Sequence, residues 1–82
     1  MAKAAAAQVL VGPRFLEDRV CRLMYVRATD EAWTEEWRKG NWVRTKALVR
    51  DVITAPSPKP GLLKRRGIPL ELGAWDRETV HA

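Results

Sequence analysis

Gly12-Pro13-Arg14-Phe15-Leu16-Glu17-Asp18-Arg19-Val20-Cys21-Arg22-Leu23-Met24-Tyr25-Val26-Arg27-Ala28 is the stretch on which the fold class turns. Counted at the period of a helix, Leu16, Val20 and Leu23 fall on one face, with Met24 and Val26 at its edges. Arg14, Asp18 and Arg22 lie opposite, and Asp18 and Arg22 are four apart, the spacing of a helical ion pair. Pro13 suits the first helical position, where a missing N–H costs nothing. The spacing predicts a helix over 13–28.

Downstream the same reading continues. Thr29 is placed to cap a second helix over 30–39, with Asp30 and Glu31 in its first turn and Arg38 and Lys39 in its last. Trp33 and Trp37, four apart, share a face, and Gly40 is read as the residue that ends the helix. Asn41 caps a third helix over 42–53, with Trp42, Leu48, Val49, Val52 and Ile53 as its apolar stripe. Upstream, residues 1–12 read as an Ala-rich N-terminal arm or helix; the run to Val11 matches a leader peptide only loosely.

Beyond Ile53 the composition shifts. Pro56, Pro58 and Pro60 alternate along an extended connector. Leu62, Leu63, Ile68, Leu70, Leu72 and Trp75 follow as apolar anchors, and Pro69 demotes residues 68–72 to an edge strand or extended peptide. Asp76 is placed to cap a last short turn. The fold class expected is therefore all-α, a small three-helix unit over 13–53 with an extended Pro-containing C-terminal arm over 54–82. That arm either folds back over the helices or lies on a partner.

The chain is 82 residues long, enough for one small domain. A single cysteine, Cys21, rules out an intramolecular disulfide and a cysteine metal cluster. A short secreted chain would carry more cysteines, so an intracellular setting, whether cytoplasmic, organellar or phage-encoded, is expected. Catalysis finds little support. The one histidine, His81, is next to the C-terminus, and the one serine, Ser57, lies in the proline-rich connector. Cys21 reads as a packed, inert thiol. No metal-ligand spacing or glycine-rich phosphate loop is present, so neither metal, cofactor nor small-molecule substrate is expected.

Charge is the more informative pattern. The net charge is +5. Residues 1–36 carry five Lys/Arg and six Asp/Glu, whereas residues 37–66 carry nine Lys/Arg against Asp51 alone, a net of +8. Such segregation favours a polyanionic partner. The function expected is non-enzymatic binding of nucleic acid, directly and in helix-turn-helix fashion through residues 30–53, or as a subunit of a nucleoprotein assembly. Arg38, Lys39, Arg44, Lys46, Arg50, Lys64, Arg65 and Arg66 are the candidate phosphate contacts, with Trp42 free to stack or wedge. The alternative is a protein–protein adaptor, inhibitor or accessory subunit docking through its tryptophans and arm, with Trp75, Leu70 and Leu72 as contacts. A plainer account leaves the charges as a solvated face and the tryptophans as core.

Overall fold

The structure, a computed structural model, describes residues 6–80. Its order is β1 (Gln8–Leu16), β2 (Arg19–Val26), β3 (Glu31–Arg38), β4 (Asn41–Arg44), α1 (Val49–Thr54), α2 (Pro60–Arg65) and α3 (Ala74–Val80). The strands pair in chain order as one antiparallel sheet. The all-α expectation is overturned: the helices predicted over 13–28 and 30–39 are strands, and of the one predicted over 42–53 only α1 is helical. Residues 1–5 of the predicted arm, and His81, lie outside the described residues; from Gln8 onward that arm is β1.

The period misleads because β2 is buried on both faces. Cys21 and Leu23 project to one side, and Val20, Met24 and Val26 to the other, all of them buried. A strand covered on both faces reads as a near-continuous apolar run, which periodicity cannot separate from a helix. The tight turns decide the matter. Glu17 and Asp18 both take positive φ (48° and 66°) between the paired residues Leu16 and Arg19. Lys39 and Gly40 do the same (48° and 85°) between Arg38 and Asn41. Two central residues at positive φ form the type I′ turn, whose twist matches that of a hairpin. β2 and β3 are joined by the four residues 27–30, with Asp30 also at positive φ.

The register sorts the side chains into two faces. The first carries Val11, Cys21, Leu23, Thr34, Glu36 and Val43; the second carries Phe15, Val20, Arg22, Met24, Trp33, Glu35, Trp37, Trp42 and Arg44. α1 covers the first face, setting Val52 into a cluster with Val11, Cys21 and Leu23. The chain reaches that face over Thr34, whose hydroxyl donates to the carbonyls of Thr45 (3.2 Å) and Ala47 (2.8 Å). α2 covers part of the second face, where Leu63 and Ile68 pack with Val20, Phe15, Trp37 and Trp42. Burying side chains of this size contributes roughly 1.5–3 kcal/mol each. The C-terminal arm therefore folds back and includes two helices. Residues 68–73, between them, belong to neither helix nor strand.

β1 is an edge strand with a cover. Its register against β2 slips twice, between Val9 and Val11 and between Val11 and Arg14, so it bends. Its outer backbone is then met from the C-terminal half: Phe15 N donates to Pro56 O (2.7 Å) and Gly73 N donates to Gly12 O (2.9 Å). Arg14 ties these pieces together. Nη1 donates to the carbonyls of Ile53 (2.7 Å) and Ala55 (2.8 Å) at the end of α1, and Nη2 pairs with Asp76 Oδ1 (2.5 Å). Asp76 Oδ2 accepts from the Gly12 N–H (2.6 Å). Asp76 is thus the third residue of α3 and a clamp onto β1, where sequence placed it as a cap.

Candidate nucleic-acid interface

In an antiparallel meander the β1–β2 and β3–β4 turns share one end of the sheet. That end gathers most of the predicted phosphate contacts. Arg38 closes β3 and Lys39 is in the turn; Arg44 is three residues further along the short edge strand β4, opposite Glu35. These three, with Asn41 and Val43, line one shallow, open depression. α2 lies over the second face at the same end, because it packs on Trp37 and Trp42 and because Arg66 reaches the β1–β2 turn. Arg66 donates to Asp18 Oδ1 (3.2 Å) and the Asp18 carbonyl (3.3 Å), so it is partly engaged in holding α2 down. Lys64 and Arg65 precede it, exposed. Lys46 and Arg50 are not part of this group; they sit on the connector to α1 and on α1 itself, towards the first face. Residues 30–53 contain two strands and one short helix, so no helix-turn-helix exists there.

The acids explain the electrostatics. Glu35 and Glu36 are neighbours in sequence but project to opposite faces of β3. Glu35 pairs with Arg22 (2.8 Å) on the second face. Glu36, buried on the first, is met by Arg19 (3.3 Å), Arg38 (3.1 Å) and the Thr45 hydroxyl (3.3 Å). Asp18 is held by Arg66 and Asp76 by Arg14. The Asp18–Arg22 pair expected of a helix is absent, since strand geometry gives Arg22 to Glu35. Glu17, Asp18, Glu35, Glu36 and Asp76 are thus each paired with an arginine. By contrast Lys39, Lys46, Arg50, Lys59, Lys64 and Arg65 form no ion pair among the described residues. Of the clustered acids Asp30, Glu31, Glu35 and Glu36, the last two are neutralised by arginines, while Asp30 and Glu31 stay exposed beside the β2–β3 loop.

The second face also orders its aromatic rings. The Trp37 and Trp42 rings meet edge to face, 5.2 Å between centroids. The Arg22 guanidinium lies 4.2 Å from the Trp42 centroid and that of Arg44 lies 4.4 Å from Trp33. Trp33 Nε1 donates to Glu35 Oε2 (2.9 Å). Cation–π interactions of this kind contribute about 0.5–1 kcal/mol at exposed sites. Trp42, expected to stack on or wedge into a ligand, is instead engaged by Trp37 and Arg22.

At the far edge, Leu70 (65% exposed), Leu72 (37%) and Trp75 (48%), the predicted protein contacts, belong to the segment that runs along β1 into α3. Sequence reasoning missed Val43 as a lining residue and placed Asn41 at the start of a helix. The signal was the run Arg38-Lys39-Gly40-Asn41, which serves as a hairpin turn as readily as a helix end.

Cys21 is fully buried. Burial pushes its thiol up; the Arg19 charge opposes this and that of Glu36 adds to it. A neutral, enclosed thiol should not react with a disulfide reagent at pH 8 in the folded protein, yet should react completely in denaturant. Rapid labelling under native conditions would contradict this packing. Among the described residues, no group of His, Cys, Asp and Glu is arranged to hold a metal ion, and no helix is long and apolar enough to cross a membrane. Comparison with protein families, with curated proteins and with solved structures finds no match.

Proposed function

We propose that this chain is a small non-enzymatic binding protein that holds a nucleic-acid phosphate backbone against the turn end of its sheet, alone or within a nucleoprotein assembly. One observation carries the reading: at that end Lys39, Lys64 and Arg65 are exposed and form no ion pair among the described residues, whereas the two exposed carboxylates of the β1–β2 turn, Glu17 and Asp18, are paired with Arg19 and Arg66. A surface of that kind gains from releasing the counterions of a polyanion. Lys39, Lys64 and Arg65 supply point charges, Arg38 and Arg44 border the depression, and Asn41 adds an amide able to donate or accept. The test is titration of a labelled oligonucleotide at several salt concentrations with the parent protein and with K39A/K64A/R65A. All three side chains are exposed and tie no elements together, so the variant should fold normally. Binding should weaken, and the slope of log K against log salt should flatten by about 0.9 for each duplex phosphate no longer neutralised. An unchanged slope would remove these residues from the interface.

A second reading, docking on a protein partner, draws support from Leu70, Leu72 and Trp75, which keep a third or more of their surface exposed on the β1 side. Aromatic residues beside exposed leucines are common at protein interfaces.

A further inference from the structure

We infer that the polymer taken by the turn end is double-stranded, a deepening that rests on the nucleic-acid reading above. Single strands are bound chiefly by aromatic rings on which unpaired bases stack, each worth about 1–3 kcal/mol, beside a basic groove. Trp37 and Trp42 lie at the basic end of this sheet and Trp33 further along the same face, towards the β2–β3 loop, but their rings are already taken. Trp42 has the Trp37 ring against it edge to face and the Arg22 guanidinium 4.2 Å from its centroid. Trp33 has the Arg44 guanidinium 4.4 Å from its centroid and its N–H bonded to Glu35. Phe15 and Trp37 are packed with Leu63 and Ile68 beneath α2.

Uncovering either tryptophan for a base would break a cation–π interaction, and at Trp42 it would also disturb the Arg22–Glu35 ion pair, whose side chains are about 15% exposed. Tyr25 is at the opposite end of the sheet, beside the β2–β3 loop, with its hydroxyl donating to Asp30 (2.7 Å). Trp75 belongs to α3, which packs against β1. β1 and β4 are the two outer strands, about 14 Å apart at the usual strand spacing. Among the described residues, the turn end therefore offers cations and guanidinium groups but no uncommitted ring for a base. That set matches a duplex, whose phosphates are spaced at one charge per about 1.7 Å and whose bases remain stacked on each other.

The full chain is titrated with a 20-base-pair DNA duplex, a 20-base-pair RNA duplex and a 20-residue oligothymidylate, each at several salt concentrations, with tryptophan emission recorded alongside. At least one duplex should bind about tenfold more tightly than the single strand at low salt, with little tryptophan quenching. Which duplex wins distinguishes the two sources of the same chemistry. A single strand bound as tightly as either duplex, with or without quenching, overturns the duplex assignment and leaves the nucleic-acid reading standing. No binding to any of the three at low salt overturns the nucleic-acid reading itself. The variant R44A sharpens the comparison, because it removes a cation and uncovers Trp33. Its duplex affinity should fall while single-strand affinity is kept or gained. Equal losses on both polymers would overturn the claim that Arg44 occupies the ring a base would need.

Discussion

Replacing Arg14 by methionine should destabilise the protein by about 3 kcal/mol, the scale on which breaking a largely buried ion pair acts. The Arg14 and Asp76 side chains are 18% and 14% exposed, so water offers each little compensation. Methionine keeps the apolar stem but removes donors from the Ile53 and Ala55 carbonyls and leaves Asp76 with the Gly12 N–H alone. A domain of this size has a total stability of roughly 4–12 kcal/mol. The loss should lower Tm by about 12–24 °C, at the usual 4–8 °C per kcal/mol. Asp76→Asn should cost less, since the amide oxygen still accepts from Gly12. Thermal unfolding followed by circular dichroism ranks the two; a wild-type Tm for Arg14→Met would deny Arg14 its role as the tie between β1, α1 and α3.

Gly73→Ala should act at the same place by a different route. A Cβ at residue 73 would fall far inside van der Waals distance of the carbonyl carbon and oxygen of Leu10, and 2.6 Å from Val11 N. These are backbone atoms of a paired strand and cannot swing aside as a long side chain does. Overpacking of this kind costs about 1–3 kcal/mol, occasionally more. Here the easiest relief is for α3 to lift from β1, which also breaks the bond from Gly73 N to Gly12 O and strains the Asp76 clamp. Hydrogen exchange should show lost protection at Gly12 and Gly73 with the centre of β2 unchanged. Unaltered protection at both sites would mean that the close approach is not maintained in solution.

The sequence was legible in its buried positions and illegible in its period. Val20, Leu23 and Val52 are core as their apolar character implies. Trp33 and Trp37 do share a face, because residues four apart do so in a strand as well as in a helix. Nothing in Glu17-Asp18 advertises a hairpin, whose usual signature is Asn-Gly or Asp-Gly. Gly40 was legible as a residue at positive φ, yet that property suits a helix end and a hairpin turn alike. Pro60 is the converse: it occupies the first turn of α2, the position where proline is favoured, but its place after two other prolines hid it in an extended run. At the candidate interface, the concentration of cations over 37–66 was plain from composition. The neutralisation of Glu35 and Glu36 was not, because it depends on cross-strand register with residues 13 and 17 positions earlier.

The cover on β1 also imposes an order in time. Within the meander each strand finds its partner in the next segment of chain, so the four strands can assemble as soon as residue 44 is available. The outer edge of β1 waits far longer: its partners are Pro56, Gly73 and Asp76, the last of them 64 residues beyond Gly12. During synthesis from the N-terminus, that edge is presented to the surroundings until nearly the whole described chain has emerged. The protein's most exposed moment is therefore its own birth, and the exposure ends only once the segment holding Gly73 and Asp76 has been made.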